Sequence, residues 1–303
     1  MKHLYIIILL FLSAGQLAAQ QEVMYSQYML NPFVINPAYA GSHESASANL
    51  IARKQWAGME GAPQSQFFSL HSPLKNERAG LGIIVANDRV GVTDQTGVYG
   101  AYSYKIPFQK SNLMMGLQMG FSSARINYSR LRIEDATDDN LTTDVINSYT
   151  PTVGTGLFYY SERFYAGLSI PQFMRYNGFS EQNISNANQE RYYMFNTGYV
   201  FDLSRTLKLK PNVLVQKAVG QSWEYDLNLN LLINEVLWLG VSNRSFNSLG
   251  TLLDLQLTRQ LRFGYAYNWA LNEIKYANDG SHELMLNYNF SFYKSKLITP
   301  RYF

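Results

Sequence analysis

The chain has no cysteine, which excludes disulfides, thiolate metal sites and a lipid anchor carried on a thiol. Charge is scarce as well: Asp, Glu, Lys and Arg make up 16% of the residues, against about 25% in ordinary soluble domains. The net charge of +3 is too small to point to nucleic acid or an acidic surface. There are four histidines; His3 lies in the leader, and His43, His71 and His282 do not have the spacing of a zinc site. No apolar run reaches the length of about 20 residues that a membrane-crossing helix needs. A G-x-S-x-G elbow, a phosphate loop and a dinucleotide fingerprint are also missing, and no nucleophile, base and acid can be assembled at a barrel rim. The expectation is a non-enzymatic chain with no cofactor and no metal.

What is abundant is aromatic: 23 tyrosines and 17 phenylalanines among 303 residues. The amino terminus, with Lys2, the apolar block LYIIILLFL and the small-residue stretch SAGQLAAQ, reads as a signal peptide over residues 1–20. The chain is therefore expected to be exported. An exported chain without disulfides needs either a large core or a membrane to hold it.

The apolar residues then repeat every second position. In EYDLNLNLLIN, Tyr225, Leu227, Leu229, Leu231 and Ile233 share one parity, while Glu224, Asp226, Asn228 and Asn230 share the other. HELMLNYNFSFY, LRFGYAYNW and NLMMGLQMGFSSAR repeat the pattern, and a period of two predicts strands. Applied along the chain it gives about 14 strands between residues 46 and 293. The polar parity carries Gly, Ser, Asn and Gln rather than Lys and Glu, and aromatics such as Tyr102, Tyr104, Tyr159, Tyr160, Tyr192 and Tyr193 sit near strand ends. That is the signature of an all-β, antiparallel transmembrane outer-membrane β-barrel with a polar interior and aromatic girdles, closed so that no strand edge meets lipid. Connection lengths agree. The fifth and seventh, INYSRLRIEDATDDNLTTDVINS and PQFMRYNGFSEQNISNANQE, are the longest, while the sixth, eighth, tenth and twelfth are short. Long loops outside and short turns in the periplasm predict periplasmic amino and carboxyl ends.

Residues 21–45 break the pattern. SQYMLNPFVINPAYAGS holds two Asn-Pro pairs. Each disfavours helix at the Asn and removes a backbone donor at the Pro. The segment is predicted to be extended and kinked, unable to pair as a central strand or to coil, while its apolar side chains require burial at about 1.5 to 3 kcal/mol each. It is expected to fold back into the periplasmic mouth and partly occlude it, or to act as a tether beneath the barrel. Its candidate residues are Gln27, Tyr28, Asn31, Pro32, Asn36, Pro37, Tyr39 and Gly41. Glycines within GLGIIV, VGTGLF and FYAGLS suggest curvature or close packing inside the lumen. The acidic run with Glu134, Asp135, Asp138 and Asp139 lacks the spacing of a calcium loop and reads as a solvated outer loop able to meet a partner. Residues 294–303 form a carboxyl tail, in which Phe303 is either an assembly signal or part of a periplasmic extension.

The opening motif, with Gln27, Tyr28, Asn31, Pro32, Asn36, Pro37, Ala38 and Gly41, resembles the start of the PorP/SprF family of outer-membrane proteins of the type IX secretion system of Bacteroidota. The resemblance extends through Arg53, Gln55, Trp56, Gly58, Gly61, Ala62 and Pro63, and resumes at Ser281, His282 and Glu283 and at Pro300, Arg301 and Phe303. It implies an integral outer-membrane barrel with these partners: outer-membrane lipid, the secretion or gliding machinery, and a secreted adhesin that ends in a type B C-terminal domain. The barrel would help export this adhesin and anchor it. Read from the residues alone, a porin-like solute channel remains open beside this function.

Overall fold

The computed structural model describes residues 25–75, 77–127, 145–171 and 191–290, with the backbone path alone at 145–150. The leader, the acidic run Glu134, Asp135, Asp138 and Asp139, and the tail with Pro300, Arg301 and Phe303 lie outside the described residues.

The strands are β1 (Ala46–Lys54), β2 (Gln64–Pro73), β3 (Ala79–Val90), β4 (Thr93–Pro107), β5 (Ser111–Ile126), β6 (Val145–Ser161), β7 (Phe164–Ile170), β8 (Tyr192–Tyr199, continued by Phe201–Asp202), β9 (Leu207–Ala218), β10 (Glu224–Ile233), β11 (Leu237–Arg244), β12 (Ser248–Gln256), β13 (Leu261–Ala270) and β14 (Ser281–Phe290). The two pieces of β8 are one strand interrupted at Val200, since both pair with β9. Every strand pairs antiparallel with its neighbour in sequence, and β14 pairs with β1, from Ala46↔Phe290 to Lys54↔His282. The result is a closed barrel, with fourteen strands among the described residues.

Which parity faces outward decides the environment. Leu50, Leu81, Leu117, Leu168, Leu229, Leu253 and Leu286 are exposed on the outer face, while Asn49, Ser69, Ser103, Gln118, Asn196, Asn228 and Asn287 are buried on the inner one. At about 1.5 kcal/mol or more for each leucine left in water, those seven alone would cancel the stability of an ordinary domain. In hydrocarbon they cost nothing. The adjacent aromatics divide by the same alternation. Tyr193 faces out and Tyr192 is buried inward, so only one of that pair belongs to a girdle.

β5 and β6 are long, and among the described residues, 145–154 of β6 pair on the β5 side alone. The fifth connection joins both strands at the rim that carries the odd-numbered connections. That end is called the odd end below, and the opposite rim the even end.

Tyr25–Ser42 occupies the lumen, and all of it is buried except the half-buried Leu30. Each Asn-Pro pair opens a single 3-10 turn, Pro32–Val34 and Pro37–Tyr39. The Asn itself is extended, with φ of −140° at Asn31 and −146° at Asn36. This corrects the expectation that the segment cannot coil: Pro is disfavoured within a helix but suits the first position of a turn, where no N–H is needed. Asn36 Oδ1 caps its own turn by accepting from the Ala38 N–H at 3.0 Å.

Candidate functional site

The inner wall receives the lumen segment in two ways. Its small residues leave room. A Cβ on Gly116 would fall within the backbone of Pro37 and Ala38, one on Gly82 would enter the Phe33 ring, and Gly80 abuts Ala40 and Gly41. Its polar residues supply hydrogen-bond partners for backbone that strand pairing does not satisfy. Ser169 Oγ donates to the Ile35 carbonyl at 2.6 Å, Ser103 Oγ donates to the Ala40 carbonyl, and the Gly41 N–H donates to His71 Nδ1 at 3.2 Å. Asn31 Nδ2 donates to Ser69 Oγ, and Asn36 Nδ2 to the Leu157 carbonyl, both at 2.9 Å. The Gly, Ser and Asn parity, which a water-filled channel would also explain, here serves a protein segment.

The wall is not uniformly polar. Tyr25, Phe33, Val34 and Tyr39 pack against inward Ile51, Phe67, Ile84, Tyr99, Met114 and Phe158. Tyr28, Met29 and Ile35 pack against Met194, Leu214, Leu232, Trp238 and Leu252. These apolar wall positions interrupt the polar parity and were not singled out in the sequence. Burial of the Tyr28, Phe33 and Tyr39 rings alone stabilises the seated segment by about 5 to 9 kcal/mol.

The segment also runs deeper than the mouth. Tyr25, edge-on to Phe67 at 4.1 Å between ring centres, lies in the odd half of the lumen. From there the chain descends to His43 at the even end and enters β1. Near its start it is held by charge. The Glu283 carboxylate accepts from the Ser26 and Gln27 N–H groups, each at 2.9 Å. Glu283 is paired in register with Arg53 across the β14–β1 seam, and both are buried. Beside them Arg244 binds Asp226 at 2.8 Å, Asn228 Nδ2 donates to the Tyr28 hydroxyl at 2.8 Å, and Asn268 Nδ2 donates to Ser26 Oγ at 2.7 Å. Lower down, Lys210 Nζ donates to the Met29 carbonyl at 3.4 Å and lies 5.2 Å from the Trp238 ring centre. Arg262 faces the buried Asp254 at 3.3 Å.

The first connection closes over the same end. The Trp56 N–H donates to Ser281 Oγ, Ala57 and Asp279 exchange backbone bonds with their opposite loop, and the Gly91 N–H donates to the Gly61 carbonyl. Trp56, Gly58 and Gly61 have positive φ, and a Cβ on Gly58 would meet the Asp279 carboxylate. The Pro63 carbonyl accepts from the Gln55 N–H at 2.9 Å. Three separated stretches of sequence, around Gln27, around Arg53–Pro63 and around Glu283, thus meet at one end of the lumen. His282 does not join them. It faces outward against Tyr265 and Tyr267. His43 and His71, which no spacing linked, lie 5.0 Å apart around Tyr39, whose hydroxyl meets His43 Nε2 at 2.9 Å. Among the described residues no group of three metal-binding side chains occurs.

A membrane barrel with a built-in lumen segment, opening on a Gln-Tyr…Asn-Pro…Asn-Pro motif, matches a known family. The model for "Type IX secretion system membrane protein PorP/SprF" matches residues 17–288. The chain belongs to the PorP/SprF family. It is thus an integral outer-membrane β-barrel of the type IX secretion system. No curated protein matches it. Solved barrels are similar in fold at low identity. The CymD monoaromatic hydrocarbon channel is 12% identical with a TM-score of 0.51, covering 90% of this chain and 94% of that one. Outer membrane protein Omp33 of Acinetobacter baumannii is 10% identical with a TM-score of 0.49, covering 82% of this chain and 100% of that one.

Proposed function

We propose that this PorP/SprF protein is a plugged, non-enzymatic barrel that helps export a secreted adhesin ending in a type B C-terminal domain and holds it at the cell surface, with a role in gliding where the adhesin serves motility. The observation that carries this reading is the filled lumen. Tyr25–Ser42 occupies the space a solute would need and is fixed there by the Glu283 carboxylate. A barrel so filled is better suited to presenting a surface to a protein than to passing small molecules, which favours the anchoring role over a porin-like channel.

The length of the fifth and seventh connections supports an orientation with the odd end outside. The contact surface would then be the outer loops, including the one that carries Glu134, Asp135, Asp138 and Asp139, whose charge would steer encounter more than set affinity. The junction at residues 42–46 and the carboxyl end of β14 would face the periplasm. The test is deletion of the gene followed by a proteomic inventory of cell surface, periplasm and medium. One adhesin is expected to leave the surface and collect inside the cell or in the medium. Unchanged surface levels of every type IX cargo would overturn the proposal.

A further inference from the structure

Four of the six even-end turns, all but β6–β7 and β10–β11, repeat a pattern that neither the lumen nor the secretion role uses. Leu74 precedes Lys75 in the β2–β3 turn, and Phe108, Leu203 and Leu257 each stand two residues before a cation, Lys110, Arg205 and Arg259, in the β4–β5, β8–β9 and β12–β13 turns. The four apolar side chains are exposed, Phe108 by 56% and Leu203 by 57%, and the four cations are exposed as well. Arg78 and Arg163 add two further exposed cations at this end, against the exposed acids Glu77, Glu162 and Glu235, so that cations outnumber acids there; the odd-end turns reverse the balance, holding among the described residues Glu60, Glu273 and Asp279 against Lys275 and Arg191.

We propose that these even-end turns form a belt that binds anionic phospholipid headgroups of the adjoining leaflet. The apolar member of each pair enters the boundary of the acyl region, while its cation stays at the level of the phosphates, as amphipathic side chains do at interfaces. The placement favours lipid over protein. The four turns are spread around the ring, on β2–β3, β4–β5, β8–β9 and β12–β13, as a surrounding leaflet requires. A protein docking from one side needs a contiguous patch instead. The inference depends on the membrane fold and is independent of the adhesin partner.

The experiment uses the full chain, purified in non-ionic detergent and examined by native mass spectrometry with phosphatidylglycerol or phosphatidylcholine of the same acyl chains. The wild type is expected to retain phosphatidylglycerol preferentially. Each of Lys75→Gln, Lys110→Gln, Arg205→Gln and Arg259→Gln is expected to weaken that binding by about fivefold, and Lys275→Gln at the odd end to leave it unchanged. Folding of each variant is checked by migration of the unboiled barrel on a gel, and the single variants suffice if the quadruple one does not fold. Equal retention of both lipids by the wild type overturns the proposal. So does an undiminished preference in the folded variants, including the case where they instead lose an acidic protein co-purified from native membranes.

Discussion

The Glu283 carboxylate accepts the Gln27 backbone N–H at 2.9 Å across 256 positions of sequence, and so ties the start of the lumen segment to the strand that closes the barrel. Its other oxygen accepts from Ser26 at the same distance. Hydrogen bonds to a charged group contribute about 1.5 to 3 kcal/mol each. Glu283→Ala is therefore expected to destabilise the protein by about 3 kcal/mol or more, and Glu283→Gln, which keeps one acceptor, by about half as much. Heat-dependent loss of the compact barrel on gels measures both. An unchanged transition in Glu283→Ala would show that the segment is held elsewhere.

Excision of residues 25–42 should turn a closed barrel into a conducting one. In planar bilayers the intact protein is expected to show no steady current and the excised form discrete steps. A steady open pore in the intact protein contradicts the filled lumen, and silence in a folded excised form contradicts the plug.

Gly116 tests the fit more gently. A leucine there would overlap the backbone at Ala38, and overpacking of this kind costs about 1 to 3 kcal/mol. The natural absence of cysteine makes Ser42→Cys a unique reporter at a buried site. Its maleimide labelling should rise by about tenfold or more when Gly116→Leu is added. Equal labelling in the two backgrounds would mean that the segment stays seated despite the clash.

The inner charges should behave as a pair. Arg244→Leu strands the buried Asp226 without its partner at 2.8 Å and is expected to cost about 3 to 5 kcal/mol. Adding Asp226→Leu should restore much of that loss. A double-mutant cycle in chemical denaturation checks this, and additive losses would show that the two side chains act separately.

The barrel was legible in the sequence because lipid imposes one rule on every strand. Leu227 and Leu229 in β10 answer the same demand as Leu284 and Leu286 in β14, and the rule needs no knowledge of which strand is adjacent. The segment's need for burial was legible in its apolar residues and its unsuitability as a strand in the Asn-Pro pairs. Its depth and its partners were not. The meeting of Gln27 with Glu283, or of Ala38 with Gly116, joins residues far apart in the chain and leaves no local trace. Glycine in a strand signals that something comes close without naming it. His43 and His71 looked unrelated because neither shares an element with the other, and only the descent of the chain past Tyr39 brings them together.

The direction of the segment has a consequence for assembly. Its far end is covalently joined to β1 at the even rim, while Tyr25 lies in the opposite half, packed under the seam where Arg53 of β1 adjoins Glu283 of β14. Once the fourteen strands are zipped, bulky rings such as Tyr28, Phe33 and Tyr39 would have to pass along a passage shaped to grip them. The simpler order seats the segment while the sheet is still an open trough and seals β14 onto β1 last. The same carboxylate would then belong at once to the completed wall and to the grip on what it encloses.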